Sequence, residues 1–294
     1  AMRPRRSGRR VTRPSGWPSS MAETVRAALV RAAAELSEWS ASARLDAELL
    51  MAAALGVGRD TMLLGRLADP SPDTFQILLD RRRRHEPVAY IVGQRDFWTI
   101  TLEVGPGVLI PRPDSETLID AAVTHFGTAG PATILDLGTG SGALLLAALA
   151  EWPHARGVGV DRSDEALAIA ARNAERLGLA SRAVLRAGDW GREMEGPFDL
   201  ILCNPPYIES DAALAPEVRE YEPASALFAG PDGLDDYRRL APDIARLLAP
   251  TGLAAIEIGW TQAAAVSGLF AGQGLVAWVR QDLGGRDRAI LARH

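Results

Sequence analysis

The sequence predicts an α/β fold in which a mostly parallel, doubly wound sheet follows a small helical domain. Short apolar segments alternate with amphipathic helical segments from residue 132 onward, which is the pattern of such a sheet. The last two strand-like segments, 276–280 and 289–292, have no helix between them and are therefore predicted to pair antiparallel. Residues 21–85 instead carry apolar residues at helical spacing.

We expect four segments along the chain. Residues 1–20 contain six arginines and no acidic residue, interspersed with prolines and glycines, and are predicted to form a disordered tail. Residues 21–85 form the helical domain. Residues 86–108 nearly alternate apolar and polar side chains and are predicted to form a β-hairpin linker. The sheet domain then occupies residues 109–294.

Strands and helices alternate along most of the sheet domain. The predicted strands occupy residues 132–136, 157–161, 183–187, 198–203, 253–258, 276–280 and 289–292. The predicted helices occupy residues 114–125, 142–152, 163–177, 234–248 and 262–271. One helix has clear end signals, because Ser163 is a favourable cap and Gly178 stops the helix.

The composition removes several kinds of chemistry. All 32 basic residues are arginine, which excludes a Walker-A lysine, a pyridoxal Schiff base and a serine–lysine dyad. The single cysteine, Cys203, cannot form an intrachain disulfide and indicates a reducing compartment. The four histidines lack metal-ligand spacing to one another or to Cys203, so we expect no metal site.

Charge and hydropathy limit the partners. The net charge is −5, and the chain is more acidic still without the arginines of the tail, so direct nucleic-acid binding is not expected. The sequence has no run of eighteen apolar residues, so no membrane span is expected. We expect a monomeric, cytoplasmic protein.

A glycine-rich loop follows the first strand of the sheet domain and leads directly into a helix. It reads Asp136-Leu137-Gly138-Thr139-Gly140-Ser141-Gly142, and glycines at such a strand end let a ligand approach the backbone closely. The loop also satisfies the looser dinucleotide pattern, and Asp161 at the end of the second strand suits the ribose of either nucleotide. Asp136 favours a cationic cofactor such as S-adenosylmethionine, because its carboxylate would attract a sulfonium and repel a pyrophosphate.

Two further residues extend this predicted cofactor site. Asp189 and Trp190 follow the third strand of the sheet domain. The carboxylate of Asp189 can accept the amino group of adenine, and the indole of Trp190 can cover the adenine face.

The fourth strand ends in Asn204-Pro205-Pro206-Tyr207, and this tetrapeptide predicts the chemistry. The two prolines remove two backbone donors, which leaves the Asn204 side-chain oxygen and the Pro205 carbonyl as acceptors for the two hydrogens of an NH₂ group. An amide nitrogen is a weak nucleophile, and holding both hydrogens favours a pyramidal nitrogen and stabilises the positive charge that grows on it. Tyr207 can stack on the planar target. We therefore predict methyl transfer to a planar amide or amino nitrogen.

These motifs resemble those of the release factor glutamine methyltransferases, the HemK/PrmC family. The resemblance extends over residues 21–294, and the first twenty residues have no family counterpart. Besides the glycine loop and the Asn-Pro-Pro-Tyr motif, the matching stretches are Glu86 to Tyr90 with Gly93, Arg95 to Trp98, Leu109 to Glu116, Asp189-Trp190, and Glu222-Pro223 with Ala226-Leu227.

The resemblance implies a Rossmann-like S-adenosylmethionine methyltransferase sheet with an antiparallel last strand, in a catalytic domain of residues 109–294. It implies that the helical domain helps recognise a peptide chain release factor. The methylated atom is then N(5) of the glutamine in the Gly-Gly-Gln loop of that factor. By the same resemblance, the cofactor is held by Gly138, Thr139, Gly140, Ser141, Gly142, Asp161, Trp190 and Asn204, and the glutamine by Asn204, Pro205, Pro206 and Tyr207.

Three other functions remain open at this point. An adenine-N(6) or guanine-N(2) nucleic-acid methyltransferase also acts on a planar amino group, although it would need a basic groove or a target-recognition domain. An NAD-dependent oxidoreductase would leave the Asn-Pro-Pro-Tyr motif without a role. A catalytically silent cofactor-binding scaffold would not need Asn204 or Tyr207.

Overall fold

The computed structural model describes residues 23–294, so the tail predicted for residues 1–20 lies outside the described residues. The chain divides into two compact units, one that ends at Asp80 and one that comprises Arg81–His294. The described part of the first unit consists mainly of helices: α1 (Val25–Leu36), α2 (Ala43–Leu55), α3 (Arg59–Gly65) and the larger part of α4 (Asp73–Arg83).

End signals and apolar spacing explain most of these helices. Thr24 begins α1, because its side-chain oxygen accepts the amide hydrogen of Ala27 at 3.3 Å. Gly56 ends α2 in the left-handed conformation. The short helix α3 was not predicted, because Met62 is its one buried residue and so it has no apolar periodicity. The buried core of this unit includes Leu29, Leu36, Leu50, Met62 and Phe75.

The predicted hairpin lies near the start of the second unit. Strands β1 (Gln94–Phe97) and β2 (Ile100–Glu103) pair antiparallel, with Phe97 opposite Ile100, which confirms this part of the prediction. Trp98, in the two-residue turn between them, has a positive φ of 52°. Its backbone amide donates to the Glu116 carboxylate at 2.9 Å, which helps to hold this unusual backbone conformation.

The β interpretation was wrong for the residues just before the hairpin. Val88–Val92 form a short helix, α5. Pro87 precedes it with a φ of −58°, and Gly93 ends it in the left-handed conformation while donating its amide hydrogen to the Ala89 carbonyl. These end signals outweigh the apolar pattern of a segment only one turn long.

The seven-stranded sheet of the second unit confirms the predicted fold class. Its strands are β3 (Thr133–Leu137), β4 (Arg156–Asp161), β5 (Ala183–Ala187), β6 (Phe198–Cys203), β7 (Leu248–Glu257), β8 (Val276–Gln281) and β9 (Asp287–Arg293). Their spatial order is β5-β4-β3-β6-β7-β9-β8. The first five strands in this spatial order, from β5 through β4, β3 and β6 to β7, pair parallel. In contrast, β9 pairs antiparallel with both β7 and β8. After β7, the chain leaves the neighbouring position in the sheet empty and forms β8 one position further out. It then returns, and β9 fills the position between β7 and β8.

Helices flank this sheet close to where they were predicted. They are α6 (Glu116–Phe126), α7 (Ala143–Glu151), α8 (Asp164–Arg176), α9 (Pro216–Arg219), α10 (Asp235–Leu247) and α11 (Ala263–Ala271), with 3-10 turns at Pro113–Ser115 and Ala224–Ala226. The one-turn helix α9 was not predicted, because it has no buried residue.

Alternating side chains build an apolar layer on each face of the sheet. Ile134 and Leu200 belong to the layer that includes α7, whereas Leu135, Ile201 and Cys203 belong to the layer that includes α10. Cys203 is fully buried, and its burial raises the pKa of the thiol, so it acts as a core residue.

Buried Asn173 on α8 ties the hairpin to the glycine-rich loop. Its side-chain oxygen accepts the amide hydrogen of Glu103 at 2.7 Å. Its NH₂ group donates to the carbonyls of Glu103 at 2.9 Å and Ser141 at 3.0 Å. One side chain therefore satisfies three backbone groups, two at the end of β2 and one in the glycine-rich loop, which are far apart in sequence.

We predict that Asn173→Ala lowers the free energy of unfolding of this protein by about 3 kcal/mol, because it leaves these backbone groups without partners. Urea unfolding followed by circular dichroism measures the change. Arg172→Ala is the matched control on the same helix, since its exposed ion pair with Glu103 contributes at most about 1 kcal/mol. Equal losses in the two variants would contradict this role of Asn173.

Candidate active site

A cleft lies beyond the carboxyl ends of the parallel strands, where the strand order reverses on the two sides of β3. This is where open α/β sheets bind ligands. The cleft contains about 990 Å³ of space, part of it open to solvent. Nine of the predicted site residues line it: Gly138, Thr139, Gly140, Ser141, Asp161, Asp189, Trp190, Asn204 and Pro206. Four do not: Asp136, Gly142, Pro205 and Tyr207.

The glycine-rich loop opens a path from the cleft to the backbone. Gly138 has a φ of 74°, and a β-carbon there would lie 3.0 Å from the indole of Trp190, so glycine lets that ring pack against the loop. Gly140 has a φ of 56°, and a β-carbon there would meet no protein atom within 4 Å. The backbone at Gly140 thus faces open space that a bound molecule can fill.

Asp161 holds this loop at the end of β4. One of its carboxylate oxygens accepts the amide hydrogen of Gly140 at 2.8 Å, and the other accepts that of Ser163 at 2.9 Å. Each carboxylate oxygen has a second lone pair, so Asp161 can also accept hydrogen bonds from two neighbouring hydroxyl groups.

Asp136 organises the loop from beneath, which differs from its predicted position facing the cofactor. Its side chain is only 1% exposed. One carboxylate oxygen accepts from the Thr139 hydroxyl at 2.6 Å and from the Leu145 amide at 3.2 Å, whereas the other has no partner within residues 23–294. Burial raises the pKa of Asp136 to about 7. The Asp136 carboxylate, which was expected to face the sulfonium of the cofactor, therefore lies in the protein interior.

Trp190 and Asp189 meet the cleft at the end of the β5 segment. Trp190 has a positive φ of 56°, and its indole N–H donates to the Asp236 carboxylate at 3.2 Å. The Asp189 carboxylate forms an ion pair with Arg239. The Asp189 carboxylate, which was predicted to accept the amino group of adenine, is therefore already paired with the Arg239 guanidinium.

Asn204 is held in the cleft by a residue that sequence reasoning missed. Its NH₂ group donates to the Ser115 hydroxyl oxygen at 3.1 Å, so its side-chain oxygen has no part in this bond. Tyr207 donates its hydroxyl hydrogen to Glu257 at 3.2 Å, and burial raises the pKa of that phenol. The Tyr207 carbonyl accepts from Gln262 at 3.0 Å.

The cleft also has walls that the chemical motifs did not predict. They come from the hairpin and from two loops that follow it: Phe97, Val108, Leu109, Pro111 and Ser115 on one side, and Pro223, Ser225 and Ala226 on another. Glu222 brings these loops together, because its carboxylate accepts the Ile110 amide at 3.0 Å and pairs with Arg112. For all of these residues except Val108 and Ser225, the only signal was their place in the stretches of family resemblance.

Residues 23–294 contain no cluster of acidic, histidine or cysteine side chains that could hold a metal ion. Over the same range, no helix is long and apolar enough to cross a membrane.

Known proteins resemble this chain in both fold and sequence. Residues 131–271 match the family described as a methyltransferase domain. The hMettl16 catalytic domain, solved with the MAT2A 3′UTR hairpin 6, has a TM-score of 0.54 at 14% identity, covering 67% of this chain and 76% of that one. The T. thermophilus 16S rRNA N2 methyltransferase RsmC, solved with AdoMet and guanosine, has a TM-score of 0.50 at 20% identity, covering 68% and 49%. These similarities concern the fold.

Sequence relatives are more specific. Residues 27–93 match the family described as the PrmC N-terminal domain. The release factor glutamine methyltransferase of Rhodospirillum rubrum is 46% identical over 85% of this chain and 78% of its own length. The protein of the same name from Cereibacter sphaeroides is 46% identical over 92% and 98%. This chain therefore belongs to the release factor glutamine methyltransferase family.

Proposed function

We infer that this enzyme transfers a methyl group from S-adenosylmethionine to the side-chain amide nitrogen of the glutamine in the Gly-Gly-Gln loop of a peptide chain release factor. Relatives named release factor glutamine methyltransferase match 85% and 92% of this chain. The observation in this protein that carries the inference is the Asn204 amide, which lines the same cleft as the glycine-rich loop.

The cleft fits this cofactor. We propose that the backbone of Gly138 to Ser141 meets it where Gly140 opens onto free space, that Asp161 accepts ribose hydroxyls, and that Trp190 offers an aromatic face to adenine. Asp189, Gly142 and Asn204 complete the proposed cofactor residues. When bound, S-adenosylmethionine supplies an electrophilic methyl group on a sulfonium.

Asn204 and Pro205 supply the two acceptors that an amide NH₂ requires. Because Ser115 holds the NH₂ group of Asn204, the Asn204 oxygen is the atom left to accept a hydrogen from the glutamine. The Pro205 carbonyl accepts the second hydrogen in this proposal. Holding both hydrogens stabilises the positive charge that grows on the nitrogen during attack. Pro206 in the cleft wall and Tyr207, fixed through its hydroxyl, complete the proposed glutamine site.

Nucleic-acid methylation is not favoured. The exocyclic amino groups of adenine and guanine are also planar, and two RNA-related structures share the fold. The sequence relatives are release factor methyltransferases, however, and the net charge of −5 is unfavourable for binding a phosphate backbone.

We further propose that the helical domain, predicted at residues 21–85, recognises the release factor and that the enzyme acts as a monomer in the cytoplasm. The match of residues 27–93 to the PrmC N-terminal domain supports the first part. A translation factor as substrate supports the location.

Label transfer from methyl-labelled S-adenosylmethionine tests the substrate. We expect label on the release factor, at the glutamine of its Gly-Gly-Gln loop, and none on tRNA, rRNA or DNA offered separately. A release factor with that glutamine changed to alanine is the matched control and should remain unlabelled. Label on a nucleic acid and not on the factor would overturn the proposed function.

Removing the acceptor side chain is predicted to stop turnover. Asn204→Ala should lower kcat by about 10²- to 10³-fold, which is the usual loss when one group that stabilises transition-state charge is removed. Circular dichroism should be unchanged. Gln273→Ala, which removes an exposed amide outside the cleft, is the matched control and should keep its activity. A turnover rate near that of the wild type in Asn204→Ala would refute the amide-holding mechanism.

Asp136 is predicted to make stability depend on pH. Its pKa is about 7 in the folded protein and near 4 in the unfolded chain, so the folded state binds the extra proton and stability falls as pH rises from about 4 to 7. In Asp136→Asn, which cannot ionise, the loss of unfolding free energy between pH 5 and pH 8 should be about 2 to 3 kcal/mol smaller than in the wild type. Glu257, which has a similar pKa, should leave a residual dependence.

Urea unfolding at the two pH values gives this difference directly. Asp211→Asn, at an exposed position of the same unit, should behave as the wild type. An unchanged pH dependence in Asp136→Asn would mean that Asp136 does not titrate in this range.

A further inference from the structure

Two exposed apolar side chains lie at the same edge of the sheet as the cleft, and the proposed reaction uses neither of them. Trp260 follows β7 and is 61% exposed, and Leu283 lies in the turn between β8 and β9 and is fully exposed. Because β9 pairs antiparallel with both β7 and β8, these two strands run in the same direction. The residues after β7 and after β8 therefore leave the sheet at its carboxyl edge, where the cleft also lies.

Trp260 stands on a turn that is fixed to the Asn-Pro-Pro-Tyr motif. The Gln262 amide donates to the Gly259 carbonyl at 2.8 Å, which places Trp260 at a corner of the turn. The Gln262 side chain accepts the Gly259 amide at 2.9 Å and donates to the Tyr207 carbonyl at 3.0 Å. A β-carbon at Gly259 would lie 3.5 Å from the Tyr207 ring, so the backbone just before Trp260 lies close against that ring. Trp260 thus adjoins the proposed glutamine site.

Leu283 is presented in a similar way by the turn between β8 and β9. One carboxylate oxygen of Asp282 accepts the amide of Gly284 at 2.8 Å and that of Arg286 at 3.0 Å, and these bonds close the turn around Leu283. The other oxygen accepts from the Arg288 guanidinium at 3.2 Å. The exposed leucine therefore projects from a turn that the protein itself holds in one conformation.

Arg288 joins the two turns. Its carbonyl accepts the amide of Ile258, just after β7, at 2.9 Å, while its side chain holds Asp282. One strand, β9, separates β7 from β8, so the strands that carry the two turns are about 10 Å apart, which is two strand spacings. We call Trp260 and Leu283 the apolar rim. Because both turns are already fixed, a partner that binds the rim has little backbone to order.

We propose that the apolar rim binds the protein segment of the release factor that lies next to the methylated glutamine. The inference rests on the proposed function, because it takes the substrate to be a glutamine within a protein. A glutamine side chain is short, so when its amide reaches Asn204, the main chain that carries it must lie across the residues that border the glutamine site. The turn that carries Trp260 borders that site at Tyr207. An exposed tryptophan beside a leucine suits a protein partner better than a phosphate backbone, which the net charge of −5 also disfavours.

Binding of a dye-labelled release factor, followed by fluorescence anisotropy, and its steady-state methylation test the rim. We expect Trp260→Ala to raise both the Kd and the KM for the release factor about 10-fold and Leu283→Ala to raise them about threefold, because each change removes apolar contact area from the complex. Trp260→Phe keeps an aromatic ring and should lose less. The double variant Trp260→Ala/Leu283→Ala should show about the product of the two losses, since the two side chains are carried by separate turns.

The remaining readouts separate substrate binding from a structural role. The kcat at saturating release factor and the KM for S-adenosylmethionine should stay within about twofold of the wild-type values, because the rim touches neither the reacting atoms nor the cofactor. Trp278→Ala and Val276→Ala are the matched controls. Both side chains are exposed in the first half of β8, away from the carboxyl edge, and both variants should keep the wild-type Kd.

Two results would overturn the proposal. One is a folded double variant whose Kd for the release factor stays within about twofold of the wild-type value. The other is a wild-type dimer in sedimentation velocity that dissociates in the double variant while release factor binding is unchanged, because the rim would then join two copies of this chain. A wild-type enzyme that leaves the release factor unlabelled would instead refute the proposed function.

Discussion

The parallel pairing of β3 with β6 is the constraint on which the candidate site depends. Leu137 lies opposite Cys203 in this pair, so the residues that follow, Gly138 and Asn204, leave adjacent strands at the same edge of the sheet. A shift of one residue in this register would reverse the faces of β6 and remove its apolar side chains from their layer. Packing of the core and alignment of the site are therefore fixed by the same hydrogen-bond ladder.

Around this pair, the polar groups of the cleft are held mainly by the protein itself. Asp161 and Asp136 are both used to hold the glycine-rich loop, and Ser115 holds Asn204. Such bonds restrict side chains before a ligand arrives, which reduces the ordering that binding and reaction must impose. The hairpin takes part in the same way, because Asn173 joins it to the loop at Ser141.

Much of this arrangement follows from local sequence signals. Strands 183–187 and 198–203 have the predicted bounds, because each is a short segment with turn residues on both sides. The glycine-rich loop and Asn204 reach the cleft as expected, since both follow apolar strands that could be identified. The insertion of β9 between β7 and β8 could not be predicted, because it depends on which strand edges pair across the sheet rather than on the residues within a strand.

The residues that sequence reasoning missed or misplaced are those whose roles depend on contacts distant in sequence. Nothing local to Asp136 distinguishes a carboxylate that faces a cofactor from one buried beneath the loop. Ser115 looks like an ordinary helix cap until its distance to Asn204 is known. Glu257 did leave a signal, an acid between Ile256 and Ile258 in an otherwise apolar strand.

Asp136 and Glu257 share a physical logic at the carboxyl edge of the sheet. Each is buried at or near the end of a parallel strand, each has one oxygen lacking a well-formed hydrogen bond among the residues described, and burial raises the pKa of each to about 7. Each also accepts from a hydroxyl group, Thr139 in one case and Tyr207 in the other. When ionised, each carboxylate can only accept, so Thr139 donates its hydroxyl hydrogen to Asp136 and Tyr207 donates its hydroxyl hydrogen to Glu257. An apolar residue would pack at lower cost but would leave those directions undetermined. In this enzyme, the cost of burying two acids is therefore linked to the orientation of the Thr139 hydroxyl, which lines the cleft, and of the Tyr207 hydroxyl in the Asn-Pro-Pro-Tyr motif.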